Sequence, residues 1–194
     1  GGWGYYNFKN IGQSIIPTRI PSGESASFIT ATCLISLKKA KDAGFAIPPL
    51  MLKKALITLR RLMNPDLTFQ YSESYKYAPK TSINKKEGSV ARNSGCLLAL
   101  YHWKSPKAQK PQLNKVVKDF VRFERWLEHG RKKPVPHEST FAIAGYFYYF
   151  GHYYASQALL QTDAKQREHA EKLAHIIISK QESNGAWFDY PIYN

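Results

Sequence analysis

Residues 141–162 read FAIAGYFYYFGHYYASQALLQT, 22 positions without a single Lys, Arg, Asp or Glu in a chain where these residues make up 22%. A helix with no charged face is buried all round or turned toward an enclosed cavity. Two other stretches share the property, 25–37 (SASFITATCLISL) and 93–103 (NSGCLLALYHW). Each is followed by an amphipathic segment rich in Lys and Arg, so the order along the chain reads inner, outer, three times over.

The three uncharged stretches superpose. Cys33-Leu-Ile-Ser-Leu37 aligns with Cys96-Leu-Leu-Ala-Leu100 and then with Ala155-Ser-Gln-Ala-Leu159, at offsets of 63 and 59 residues (33 to 96, 96 to 155). A period of about 60 holds two helices and two loops, longer than the roughly 33 to 47 of common helical repeats. The loops repeat as well. Gln181-Glu-Ser-Asn-Gly185-Ala-Trp187 has the form Q-x-x-x-G-x-W, and Gly1-Gly-Trp3 matches its tail. Leu67-Thr-Phe69 is a degenerate copy with Met63 in place of the Gln, and only Gly130 survives of a copy due near residue 128.

This loop motif, with the segment SASFITATCLISLKKAKDAGFAIP ahead of an outer helix, resembles the prenyltransferase and squalene-oxidase repeat of terpenoid-cyclase-like proteins. The resemblance implies an all-α fold, an α/α-toroid of helical hairpins, with Trp3, Phe69, Gln181, Gly185 and Trp187 as structural residues. In that family the Gln caps a helix end and stacks on the Trp. About three inner/outer pairs fit, in a single domain over residues 1–194 with repeats at roughly 4–69, 70–130 and 131–187. Three pairs are half of the six-pair ring that the resemblance implies. A segment of a larger toroid is therefore expected, completed by a homodimer partner or by the other half of the ring, because half a ring exposes far more apolar surface than a soluble monomer normally shows.

Periodicity places the helices. The first runs from about Ala26 to Ala43, ends at Gly44, and gives way to Pro48 and Pro49 at the start of the next. The second carries Leu52, Ala55, Leu56, Leu59, Leu62 and Met63 on one stripe, the fourth Leu113, Val116, Val117, Phe120 and Leu127, the sixth Ala170, Leu173, Ala174, Ile177 and Gln181. Segments 4–24, 64–90 and 130–139 read as loops, and the long middle one suits a functional role.

The hydrophobic fraction of 43% suffices for a core. The stretch from Phe141 is long enough to cross a bilayer, but its five Tyr, one His, Ser156 and Gln157 would need partners in hydrocarbon, so no transmembrane segment is expected. A net charge of +14 favours acidic partners. The basic residues are nonetheless spread over the outer helices, the 76–92 loop and the Arg131-Lys132-Lys133 turn, and no nucleic-acid motif accompanies them. Cys33 and Cys96 hold equivalent repeat positions and point the same way, which argues against a disulfide between them.

Catalytic motifs are sparse. The resembling cyclases carry D-x-D-D and related synthases carry aspartate-rich magnesium motifs, whereas Asp42, Asp66, Asp119, Asp163 and Asp189 here are never within about twenty residues of one another. Protein prenyltransferase β subunits of that fold bind zinc through Asp, Cys and His, yet no Asp-x-Cys pair or metal-type His spacing occurs. The G-C-G-E-Q run of thioester domains is missing too. Neither a metal nor a cofactor is expected.

What remains is aromatic and imidazole. Gly145, Tyr149, His152, Ser156 and Leu159 share a helical face, with Tyr148 beside it. On an inner helix that face would line the cavity mouth, His152 exchanging protons and the Tyr rings packing a hydrophobic or glycan ligand. Tyr101 and His102, from the second uncharged stretch, join Tyr148, Tyr149 and His152 as candidate ligand-binding residues. His137 and Glu138 are further acid–base candidates, although with Ser139 and Thr140 they equally suit a helix cap. The bland alternative is that these groups pair with one another between tightly packed helices. Two functions stand: a non-catalytic repeat domain binding a ligand or partner on its inner aromatic face, or an enzyme acting on a polyprenyl or carbohydrate substrate with its acidic residues outside this segment.

Overall fold

The computed structural model describes residues 1–11, 14–21, 23–131, 133, 137, 140–162 and 167–189, with 6–21 and 167 at the level of the backbone. Six α-helices lie among them: α1 (Ser27–Asp42), α2 (Pro49–Arg61), α3 (Lys86–His102), α4 (Lys110–Arg131), α5 (Phe147–Leu159) and α6 (Arg167–Ile178). The expected all-α character holds for this core. The segment read as a leading loop, 4–24, instead contains an antiparallel hairpin of β1 (Tyr6–Ile11) and β2 (Ser14–Pro21). Pro17 and Pro21 argue against a strand in the sequence, but Ile15, Ile16, Thr18 and Ile20 suit an extended backbone.

Charge sorts the helices as expected. In α3 every residue from Ser89 to Leu100 is buried, and in α1 the buried positions fall before the first lysine. The outer helices bury one stripe each: Ala55 and Leu59 in α2, and Leu113, Val116, Val117, Phe120 and Leu127 in α4. Pro49 opens α2 at its first turn, where a missing N–H costs nothing. Charged Lys86 and Glu87 begin α3, which thus starts several residues before its uncharged stretch and shortens the long loop accordingly.

Helix α3 packs on both α1 and α5, while α2, α4 and α6 pair with α1, α3 and α5 from outside. Side chains of α1 and α5 also meet. Tyr154 of α5 donates a hydrogen bond to Thr32 of α1 (3.2 Å), and the Phe28 ring of α1 meets Phe147 edge-on at 5.0 Å. These contacts close the centre, which is filled by Leu34, Cys96, Leu97, Ala158 and their neighbours. Cys33 and Cys96 are both free thiols.

The two loop motifs cap outer helices. Trp187 donates its indole N–H to the Ile177 carbonyl at the end of α6 (2.8 Å), and the Gln181 amide donates to the Gly185 carbonyl (2.9 Å). In the degenerate copy Phe69 is fully buried and its N–H is taken by the Asn93 side chain of α3 (2.9 Å). Trp3 ties the amino-terminal segment to α1, its backbone exchanging two hydrogen bonds with the Thr30 hydroxyl.

Candidate functional site

The face read on α5 exists, and it points outward rather than to the centre. Tyr149, His152, Ser156 and Leu159 line an apolar groove of about 480 Å3 between α5 and α6, opposite Ala170, Leu173, Ala174 and Ile177. The centre is instead met by Phe147, Phe150 and Tyr154, one helical step round. Gly145 precedes the helix and abuts the Arg131 backbone.

His152 sits at the inner edge of this groove, 4% exposed. Its Nδ1 is 2.8 Å from the Tyr148 carbonyl, which can only accept, so Nδ1 carries a proton. Its Nε2 faces Glu124 Oε1 of α4 at 3.5 Å, and neither atom has a hydrogen bond. Phe120 and Tyr148 hold the imidazole from two sides. Tyr148 is fully buried beneath the Arg131 guanidinium, outside the groove; burial, and then the charges of Glu124 and Glu128, push its phenol far up. Asp189 completes the neighbourhood. Its Oδ1 is buried without a hydrogen bond, and burial raises the carboxyl to about 6 against the opposing pull of Arg131 and His152.

Tyr101 and His102 lie at the far end of α3, in a separate cavity of about 470 Å3 with Lys38, Lys104 and Gln109. Burial and then the charge of Lys38 push the His102 imidazole down. They are not brought together with His152.

His137 belongs to a third place. Helix α5 begins at Phe147 with Tyr146 as its cap residue, so His137 does not stand at its start, and Glu138 and Ser139 lie outside the described residues. His137 has a left-handed backbone (φ 62°), its Nδ1 is 2.8 Å from the Ala142 carbonyl, and its Nε2 is 2.8 Å from the Tyr146 hydroxyl. Tyr146 continues to the Tyr71 hydroxyl (3.4 Å), and Tyr71 to that of Tyr5 (2.6 Å). Burial raises all three phenols, Tyr146 to about 12.

Beneath the Tyr71 ring lies Arg92, fully buried, its charge centre 5.6 Å from the ring centroid. It donates to the carbonyls of Phe69, Gly88 and Ile83 and to the Asn84 side chain, and burial lowers it to about 10. Among the described residues no carboxylate pairs with it. The sequence reading passed over Tyr5, Tyr71, Tyr146 and Arg92. Arg92 was the available signal: it stands immediately before an uncharged inner stretch, and a cation at such a position needs a built environment.

Among the described residues no cluster of three His, Cys, Asp or Glu side chains is placed to hold a metal ion, and no helix is long and apolar enough to cross a membrane. Comparison with known protein families, curated proteins and solved structures finds no match to this chain.

Proposed function

We propose that the chain is a three-pair section of an α/α-toroid that serves as a binding scaffold, taking a fourth uncharged helix against the aromatic side of α5. One observation carries this reading. Helix α3 rests in the groove made by α1 and α2, α5 rests in the groove made by α3 and α4, and α5 and α6 form the next groove with nothing in it among the described residues. Its lining is apolar, and Ala170 and Ala174, four residues apart, leave room for a helix backbone to approach closely. Tyr153 and Leu160 beside it are 50% and 74% exposed, surface that a helix of the inner type would cover. The resemblance of the loop motifs to the prenyltransferase and squalene-oxidase repeat supports the same arrangement.

The test uses 8-anilinonaphthalene-1-sulfonate as the apolar probe and a synthetic peptide of residues 93–103 as the helix. The dye binds the chain, the peptide displaces it, and Ala174→Trp, which fills the groove from an exposed position, abolishes both. A dye signal untouched by Ala174→Trp, or a peptide that never competes, defeats the helix seat.

A second reading is favoured by the His152–Glu124 pair. An imidazole Nε2 and a carboxylate Oε1 that lack hydrogen bonds, with the His152 ring lining an apolar groove, suit an enzyme acting on a polyprenyl or other apolar substrate. Displacement of the dye by farnesol and not by the peptide would select it.

A further inference from the structure

Helices α1 and α3 hold the turn before them in the same way. Thr30 and Asn93 occupy equivalent repeat positions, 63 residues apart (30 to 93). Trp3 ends the first loop motif and Phe69 the degenerate copy, and each gives its backbone N–H to the side-chain oxygen of that helix residue. Trp3 donates to Thr30 Oγ1 at 3.0 Å, and Phe69 to Asn93 Oδ1 at 2.9 Å. The carbonyls are taken too. That of Trp3 accepts from the Ala26 N–H (2.9 Å) and the Thr30 hydroxyl (3.1 Å), that of Phe69 from Arg92 Nε (2.9 Å). Beside the joint both helices carry a small residue, Ala31 or Ser94, and four positions on a leucine, Leu34 or Leu97, all buried. For the third counterpart, His152 of α5, the matching turn position is residue 132, outside the described residues.

Trp187 ends the last copy of the motif, and its backbone is open. Among the described residues neither its N–H nor its carbonyl has a hydrogen bond. It is 43% exposed, where Phe69 is fully buried. Its indole N–H goes instead to the Ile177 carbonyl, and Ile177 lines the α5/α6 groove, so the open backbone lies beside that groove. A helix that covered the Trp187 N–H without offering an acceptor would bury an unpaired donor and carry its full desolvation penalty.

We propose that the Trp187 backbone selects the helix that fills the α5/α6 groove: an uncharged helix with Thr or Asn opposite Trp187, a small residue next to it and a leucine four positions after it. The inference rests on the groove being a helix seat, and it names what the seated helix must carry. Valine or leucine in place of the Thr or Asn fills the same space but leaves the Trp187 N–H without its acceptor, so discrimination comes from the rejected partner as much as from the accepted one. A second folded copy of this chain does not supply the residue, because its Thr30 is engaged by its own Trp3 and its Asn93 by its own Phe69. The occupant is a separate helix of the inner type.

The probe is a synthetic peptide of residues 25–37, uncharged and carrying Ala26, Thr30 and Leu34, added to the whole chain labelled with nitrogen-15. It displaces 8-anilinonaphthalene-1-sulfonate, moves the Trp187 backbone N–H resonance downfield and slows its hydrogen exchange. The Thr30→Val peptide binds about tenfold more weakly, one hydrogen bond being lost, and leaves that resonance in place. Both variants are made in the peptide, so the fold of the chain is not at risk. Equal binding of the two peptides, or displacement of the dye with the Trp187 N–H unmoved, overturns the proposal and leaves the groove reading standing. So does displacement by the 93–103 peptide alone. Dye binding that falls as the chain itself is concentrated gives the groove to a second copy and overturns it as well. If neither peptide displaces the dye, the helix seat fails and this inference fails with it.

Discussion

Leu67 and Gly185 hold the same place in two copies of one turn, and both have a left-handed backbone, φ 73° and 83°. In each copy the N–H of this residue bonds the carbonyl three positions back, Asn64 (3.0 Å) or Glu182 (2.9 Å). That earlier residue bonds forward to the carbonyl of Thr68 (2.8 Å) or Ala186 (2.9 Å). The side chain just before the left-handed residue, Asp66 or Asn184, accepts from the N–H just after it (3.1 and 3.0 Å). Met63–Phe69 and Gln181–Trp187 are thus one turn in space, although their letters hardly agree.

Gly185→Ala tests how firmly that turn is held. A methyl group there meets only the Gln181 side chain, at 3.9 Å, so the loss is backbone strain alone, about 1 kcal/mol. Urea denaturation measures it. Stability equal to the native chain would mean that the left-handed geometry is not maintained in solution.

Phe69 should matter more than Trp187, against the order that the motif letters suggest. Phe69 is fully buried and Trp187 is 43% exposed. Phe69→Ala is expected to cost about 3–5 kcal/mol. Trp187→Ala, which gives up the hydrogen bond to Ile177 and a half-covered ring, is expected to cost about 1–2 kcal/mol. Thermal denaturation of the two variants side by side decides the order.

What the letters carried was the alternation of charge. An uncharged face has one physical solution, burial, so α1, α3 and α5 could be placed inside from composition alone. Which way each face turns depends on neighbours that the sequence does not order, and for this reason His152 points between α4 and α6 instead of to the centre. The hydrogen-bonded series Tyr5–Tyr71–Tyr146–His137 was invisible for a related cause: Tyr5, Tyr71 and His137 sit in irregular segments, where no periodicity indicates what meets what. The hairpin was hidden by its prolines.

Acid should loosen α6 from α4. Glu128 holds the Arg131 guanidinium through two bonds of 3.1 Å and the Lys180 ammonium at 3.2 Å. Burial opposes its ionisation, but the hydrogen bonds from Arg131 and Lys180 outweigh it and bring the carboxyl from 4.5 to about 2. A lowered carboxyl contributes stability that is complete above about 4.5 and lost as pH falls toward 2. Glu128→Gln is expected to cost about 1–2 kcal/mol at pH 7, with the gap closing toward pH 2. A gap independent of pH in denaturation curves would contradict this account.

Asp189 should show the opposite dependence. Its carboxyl is raised from 3.8 to about 6, burial outweighing Arg131 and His152. The folded chain therefore binds that proton more tightly than the unfolded one, and stability declines as pH rises from about 3.8 through 6. Asp189→Asn removes the decline: it is expected to stabilise the chain by about 1 kcal/mol at pH 8, allowing for the half-exposed site, and to do nothing at pH 3.5. Stabilisation at both pH values would assign the gain to something other than the buried charge.

Gly151 sets the distance between α3 and α5. A methyl group on it would lie 2.9 Å from the Ala91 Cα, 3.0 Å from the Ala91 Cβ and 3.1 Å from the Phe120 ring. Two of these neighbours belong to a helix buried on nearly every side, which has no free direction in which to yield. Gly151→Ala is expected to cost about 1–3 kcal/mol through overpacking, even though alanine favours a helix by about 1 kcal/mol over glycine. Adding Ala91→Gly takes away the opposing methyl group but leaves the backbone of α3 where it was, so the double variant recovers part of the loss and the two changes are not additive. If Gly151→Ala instead raises the denaturation midpoint, helix propensity has won, and α3 and α5 stand further apart in solution than this packing requires.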